Sequence, residues 1–81
     1  MNIEVKLFYN LAEYSPPEMK NKKGSKSIYL EEGATIQNLL GRLGIPEQMT
    51  RVILLNGIRP KDGEKLQEGD VVAIFPPLAG G

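Results

Sequence analysis

One amphipathic helix between stretches of strand-forming sequence limits most strongly how this chain can fold. Thr35 is suited to the helix N-cap, and Gly44 stands where a left-handed C-cap is expected, two residues before a proline. The apolar residues between the caps recur at the spacing that places them on one face of a helix: Ile36, Leu39, Leu40 and Leu43. This stripe predicts a helix that packs its leucines against one face of a sheet.

Gly41 interrupts the interior of this helix. Glycine at such a position costs up to about 1 kcal/mol relative to alanine. Glycine also permits the close approach of a neighbouring backbone. We therefore expect a strand or loop to pack closely against Gly41.

Strand patterns lie on both sides of the helix. Residues Asn2 to Phe8 alternate apolar and polar side chains, which is the period of a half-buried strand, and Ser27 to Leu30 predicts a second strand. Val52 to Leu55 is apolar throughout, which predicts a strand buried on both faces. Val71 to Phe75 predicts the last strand. Strands that precede and follow one helix favour a mixed sheet.

Turn signals divide the second half of the chain. Asn56-Gly57 is a strong two-residue hairpin signal, because both central positions of such a turn favour positive φ. Ile58 would begin a short returning strand that Pro60 ends. Leu66 lies between two further glycine turns and is the expected core anchor of that region.

The segment between the first two strands is long and polar. Leu11 to Tyr14 can form one turn of helix, which Pro16-Pro17 would stop. Beyond the prolines, the region from Lys20 to Lys26 carries four lysines around a glycine and predicts a solvated, mobile loop. The other interpretation of these lysines is an electrostatic docking feature for an acidic partner.

Composition narrows the classes of function. The 81 residues suit one domain, and ten basic and ten acidic side chains leave no net charge, which disfavours nucleic acid or a membrane as a partner. The sequence has no cysteine and no histidine, which excludes thiol nucleophiles and the commonest general base. We expect no metal site, no catalysis by side chains and no transmembrane segment, and hence a cytoplasmic protein.

The sequence ends in a proline pair and a glycine pair. The prolines stop ladder pairing, so we expect residues 1–76 to form the domain and residues 77–81 a flexible tail. Two glycines leave the terminal carboxylate of Gly81 unshielded and able to enter a narrow slot. Once activated, for example by adenylation with ATP, that carboxylate can pass to a sulfur or an amine nucleophile. The alternative is a disordered tail without chemistry.

Several motifs together resemble the MoaD/ThiS family of ubiquitin-like sulfur carriers. The motifs are Ala34-Thr35, Leu43-Gly44-Ile45-Pro46, Leu55-Asn56-Gly57, Glu68-Gly69-Asp70 and the ending Phe75-Pro76-Pro77-Leu78-Ala79-Gly80-Gly81. The resemblance implies an α+β fold of the β-grasp (ubiquitin-like) type, a mixed sheet of four to five strands crossed by one main helix, with a flexible C-terminal tail. The proline pair is more similar to the molybdopterin synthase small subunit than to the thiazole sulfur carrier.

The resemblance also implies a chemistry for the tail. An ATP-dependent adenylating enzyme of the ubiquitin-activating type would activate the carboxylate of Gly81, and a sulfur donor would convert it into a thiocarboxylate. The tail would then enter the large subunit of molybdopterin synthase and deliver sulfur to a pterin precursor of the molybdenum or tungsten cofactor. The chain would be a carrier without a bound cofactor and not an enzyme, since ATP is used by the activating enzyme.

Residue roles follow from the same resemblance. Gly81 would carry the sulfur, and Gly80 would permit passage through a channel whose entrance Leu78 and Ala79 fit. Phe75 and its neighbours would form an apolar docking surface, although Phe75 is equally suited to the core. The expected partner-binding residues are Phe75, Pro76, Pro77, Leu78, Ala79 and Gly80.

Three other functions remain open at this point. The same sulfur chemistry could feed thiazole or another sulfur pathway. The chain could be a ubiquitin-like protein modifier that forms isopeptide bonds through Gly81. It could also be a β-grasp interaction module whose tail does not react.

Overall fold

The first and last strands of the chain lie side by side at the centre of one five-stranded sheet. A computed structural model describes residues 1–14, 20–22 and 25–77. Its strands are β1 (Asn2–Leu7), β2 (Lys20–Lys22), β3 (Ser25–Tyr29), β4 (Val52–Leu55) and β5 (Val71–Phe75), with helix α1 (Ile36–Leu43) between β3 and β4. The strand order is β2-β3-β1-β5-β4, and only the β1–β5 pairing is parallel. The predicted mixed sheet with one main helix is therefore confirmed.

Helix α1 begins and ends at the predicted caps. Thr35 and Asn38 form a reciprocal capping box: the Thr35 hydroxyl accepts from the Asn38 N–H at 3.3 Å, and the Asn38 side-chain oxygen accepts from the Thr35 N–H at 2.9 Å. Gly44 ends the helix with a left-handed φ of 75°. The stripe of Leu39, Leu40 and Leu43 is buried, which confirms it as core.

The core lies between α1 and one face of the sheet. Among the described residues the buried side chains are all apolar, and no buried side-chain nitrogen or oxygen lacks a hydrogen-bond partner. The first 3-10 turn, Tyr9–Glu13, adds Leu11 to the core, and the later loop adds Leu66, the predicted anchor. The most deeply buried residues are Ile3, Val5, Leu11, Ile28, Leu39, Val72 and Ile74.

The lysine-rich segment differs from its prediction. Lys20–Lys22 forms strand β2 at one edge of the sheet, with Lys20 opposite Ser27 and Lys22 opposite Ser25. The prediction of a solvated loop is therefore wrong for these residues, because antiparallel pairing with β3 satisfies the backbone groups that a loop would leave to water. Residues 23 and 24 lie outside the described part of the chain.

Strand β4 also differs from its prediction. Val52–Leu55 lies at the opposite edge of the sheet and is not buried on both faces; its first three residues are half-buried. The apolar run serves two faces of the sheet, since Ile53 lies opposite the core residue Ile74, whereas Leu54 lies opposite Ala73 on the other face. A continuous apolar run therefore marks a strand whose two faces are both apolar, even at an edge.

The Asn56-Gly57 turn is formed as predicted. Both residues have positive φ, 53° and 84°. The returning strand is reduced to a single bridge, in which Leu55 and Ile58 exchange backbone hydrogen bonds of 2.7 and 3.1 Å. The Asn56 side chain joins the turn to β5, because its oxygen accepts from the Val71 N–H at 2.9 Å.

Gly41 does not provide a close approach, so that prediction is wrong. A Cβ placed on Gly41 would meet no heavy atom within 4 Å outside its chain neighbours and its own helix backbone. The residue faces solvent. Its cost to helix stability is therefore not offset by a packing contact that glycine alone allows.

Gly41→Ala should raise the free energy of unfolding by about 0.5–1 kcal/mol, because alanine is the better helix former and has room for its methyl group. Urea unfolding followed by circular dichroism measures the change. The matched variant Gly44→Ala should lower the free energy by about 1–2 kcal/mol, since alanine is strained at positive φ. A destabilised Gly41→Ala variant would contradict this account of the helix.

Candidate functional site at the ends of the central strands

Strands β1 and β5 run in the same direction and end together. Their register places Leu7 beside Ile74, and the Phe8 N–H donates to the Ile74 carbonyl at 3.2 Å. On the other side of β5, the Arg51 N–H donates to the Phe75 carbonyl at 2.7 Å. Hydrogen bonds on both sides of β5 thus secure its last two residues, Ile74 and Phe75, at the point where the chain continues toward Pro76.

Two phenylalanines stack at this point. The rings of Phe8 and Phe75 lie 4.2 Å apart between centroids, with planes inclined by 10°. Both side chains are half-buried. Because Val72 and Ile74 face the core, strand alternation places Phe75 on the opposite face of the sheet. Phe75 is therefore not a core residue, which resolves the choice that the sequence left open.

The stacked pair belongs to a larger surface, which we call the outer apolar face. It lies on the side of the sheet away from α1 and contains Phe8, Val52, Leu54, Val71, Ala73 and Phe75, all half-buried. Beside it, β1 contributes the charged residues Glu4 and Lys6, opposite Val71 and Ala73. Contiguous exposed apolar surface rimmed by polar residues commonly marks an interaction site.

The structure brings together three of the predicted site residues. Phe75, Pro76 and Pro77 follow one another at the end of β5; Pro76 is buried and Pro77 is exposed. The remaining predicted site residues, Leu78, Ala79, Gly80 and Gly81, lie outside the described part of the chain. Their roles, and the predicted division between residues 1–76 and 77–81, stay predictions.

Sequence reasoning missed Phe8 as a member of this site. Phe8 closes the alternating pattern of the first strand, and its position beside Phe75 depends on the parallel pairing of β1 with β5. The sequence contains both aromatic residues but no local signal that pairs them. Knowledge that β1 pairs with β5 would have been needed to predict this contact.

The described residues include no side-chain cluster suited to catalysis or metal binding. No buried polar or charged side chain occurs among them, and no group of three carboxylates lies close enough to hold a metal ion. An open groove of about 360 Å³, which includes Asn56, Lys61 and Lys65 in its lining, lies at the other end of β5. Within the described ranges, no helix is long and apolar enough to cross a membrane.

The fold is a ubiquitin-like β-grasp, as two solved structures of similar shape illustrate. SAMP1, a small archaeal modifier protein from Haloferax volcanii, superposes with a TM-score of 0.66 at 25% identity over 100% of both chains. A candidate molybdopterin converting factor subunit 1 from Pyrococcus furiosus gives a TM-score of 0.65 at 26% identity, over 95% of this chain and 98% of that one. The predicted fold class is confirmed.

The chain belongs to the ThiS family, whose profile matches residues 5–81. Among characterised proteins, it is similar to the molybdopterin synthase sulfur carrier subunit of Chlamydomonas reinhardtii. The two are 39% identical over 64 residues, which is 69% of this chain and 77% of the relative. The resemblance inferred from the motifs is thereby confirmed.

The Phe8–Phe75 stack should contribute about 0.5–1.5 kcal/mol of coupling beyond the area that each ring buries. A double-mutant cycle with Phe8→Ala, Phe75→Ala and the double variant measures it by urea unfolding. Tyr29 supplies a control, because it is exposed on β3 at the start of β1, about 20 Å along the strand from Phe8. Phe75→Ala and Tyr29→Ala should be additive, and equal coupling in both cycles would contradict a specific stack.

Proposed function

We propose that the chain is a sulfur carrier for molybdopterin biosynthesis that carries its sulfur on Gly81. The observation that carries the proposal is the similarity to a molybdopterin synthase sulfur carrier subunit, combined with the Gly-Gly ending that follows the central strand. The ending begins at Pro76-Pro77, directly after the stacked and hydrogen-bonded Phe75.

The proposed chemistry takes place on the carboxylate of Gly81. A carboxylate oxygen attacks the α-phosphorus of ATP, and diphosphate leaves with the electron pair of the broken phosphoanhydride bond. The resulting acyl adenylate has a good leaving group. A donor that supplies sulfur at the sulfide level, as hydrosulfide, attacks the carbonyl carbon; AMP departs with the electron pair of the broken acyl–oxygen bond, and a thiocarboxylate remains on Gly81. In the transfer, the thiocarboxylate sulfur bonds to a carbon of the pterin precursor and displaces an oxygen leaving group, and water then cleaves the acyl–sulfur bond and regenerates the carboxylate of Gly81.

The domain supports this chemistry by presenting the tail. The partners in the proposal are an adenylating enzyme of the ubiquitin-activating type, a sulfur donor and the large subunit of a molybdopterin synthase. Each partner that handles Gly81 needs a surface to dock against, and the outer apolar face lies beside the strand that leads to the tail. Phe75 and Pro77 would contact such a partner directly, while the buried Pro76 fixes the direction of the chain.

A protein modifier is the second candidate function, and the similarity in fold to SAMP1 favours it. The two functions share the adenylation step and differ in the nucleophile that attacks the activated carbonyl. An amine gives an isopeptide bond, whereas sulfur gives a thiocarboxylate. Lysine-linked adducts of this chain in cell extracts, formed under sulfur-replete conditions, would favour the modifier.

Deletion of Gly81 should abolish sulfur loading and leave the fold intact, because the residue follows β5, the last strand of the described sheet, in the sequence. The measurement is the intact mass after incubation with ATP, a matching activating enzyme and a sulfur donor. The full chain should gain the mass of one oxygen-to-sulfur exchange, and the shortened chain should gain nothing. Loading of the shortened chain, or no loading of the full chain by an enzyme proven active on a control carrier, would refute the proposal.

Ala73→Lys should weaken binding to a molybdopterin synthase large subunit by about tenfold or more, because it places a charge on the outer apolar face between Val71 and Phe75, next to Leu54. Titration calorimetry measures the affinity. Gln37→Lys adds the same charge at an exposed position of α1 on the other side of the sheet and should bind like the unaltered chain. Equal affinities for both variants would exclude the outer apolar face as the docking surface.

A further inference from the structure

Tyr9 has a backbone conformation that bulky residues rarely adopt. Its φ is 56°, in the left-handed region, where a non-glycine residue of this size is strained. The side chain is 68% exposed, so burial of the ring does not compensate for the strain. A residue of this kind, strained and exposed together, is a reason to look for a functional contact.

The turn at this position does not require a tyrosine. Leu11 secures the turn: its side chain is fully buried, and its N–H donates to the Phe8 carbonyl at 3.1 Å. Asn56 is the other described non-glycine residue with positive φ, and it is of a type that tolerates this region and uses its side chain to bond β5. Glycine or asparagine would serve the turn at Tyr9 with less strain.

The position of Tyr9 relates it to the tail. Tyr9 directly follows Phe8, which stacks on Phe75 and bonds to Ile74, so Tyr9 lies at the end of the sheet where the chain continues into Pro76. Gly81 is five positions after Pro76 in the sequence, and a fully extended segment of that length spans at most about 18 Å. An enzyme that holds Gly81 in a cleft therefore has the rim of that cleft within about 18 Å of Pro76, beside the end of the sheet at which Tyr9 lies.

We propose that Tyr9 is a partner-contact residue that binds the rim of the cleft in the ATP-dependent activating enzyme. The inference rests on the proposed function and adds a second point of recognition beside the tail. A tyrosine with a fixed backbone offers a large, rigid surface at low cost in side-chain entropy. Its ring can pack on an apolar side chain or on a guanidinium group of the partner. The activating enzyme is the partner to which this contact is assigned, because it must bind the unmodified chain before any acceptor can use the sulfur.

The test compares variants that keep the turn. Tyr9→Asn and Tyr9→Gly suit a left-handed backbone and remove the ring, whereas Tyr9→Phe keeps it. Tyr29→Asn removes an exposed tyrosine of similar accessibility, 61%, from β3 at the start of β1. For each chain, the rate of ATP-dependent thiocarboxylate formation is measured by intact mass as a function of chain concentration, together with Tm.

Tyr9→Asn and Tyr9→Gly should raise KM for the chain by about tenfold and leave kcat at saturating chain little changed. Their Tm should be equal to that of the unaltered chain or higher, since the strain is relieved. Tyr9→Phe and Tyr29→Asn should behave like the unaltered chain. Higher thermal stability together with weaker recognition is the combination that a merely structural residue does not produce.

Two results would overturn the contact. One is an unchanged KM in Tyr9→Asn while the unaltered chain is loaded with sulfur; the proposed function would then stand without the contact. The other is a lower Tm in both Tyr9→Asn and Tyr9→Gly, which would show that the ring stabilises the fold. If the unaltered chain is not loaded by an enzyme active on a control carrier, the proposed function itself fails, and the contact fails with it.

Discussion

The parallel pairing of β1 with β5 is the contact on which the other features of the structure depend. It joins the two strands that are farthest apart in the sequence and places both at the centre of the sheet. Hydrogen bonds continue the pairing before β5 begins, since the Glu4 N–H donates to the Asp70 carbonyl at 2.9 Å. The same pairing brings the end of β5 beside the end of β1, where Phe8 stacks on Phe75.

The two faces of the sheet have separate roles. The inner face and α1 enclose the core, which is apolar throughout the described residues. The outer apolar face has no layer over it within the described part of the chain, although Val52, Leu54 and Ala73 lie on it. In a small domain every apolar residue on the surface lowers solubility without adding to the core. An apolar face of this kind suits the docking role proposed above.

The sequence predicted the elements well where local physics decides them. The helix between Thr35 and Gly44 follows from its caps and leucine spacing, and the Asn56-Gly57 turn follows from its need for positive φ. The two wrong predictions about the sheet concern segments whose structure depends on contacts between distant parts of the sequence. Lys20–Lys22 forms a strand because it pairs with β3. Val52–Leu55 is an edge strand because, among the described strands, it pairs only with β5, which lies between it and β1.

The candidate site, too, could be predicted from the sequence only where its residues are adjacent in the sequence. The ending that contains Phe75, Pro76 and Pro77 was recognisable because it is continuous in sequence. Phe8 was not, because it joins the site only through strand pairing, and Tyr9 was not, because backbone strain has no compositional signature.

The position of β5 between β1 and β4 also affects how the chain folds during its synthesis. β5 follows the other four strands in the sequence, so β1 lacks one of its two partners, and the sheet stays incomplete, until β5 has been synthesised. Such pairings between distant segments slow folding as well, since the intervening chain must first be closed into a loop. A product of interrupted translation lacks the strand that separates β1 from β4 and is left with unpaired strand edges, which quality-control proteases can recognise. A chain that escapes degradation by such proteases has therefore been synthesised at least as far as Phe75.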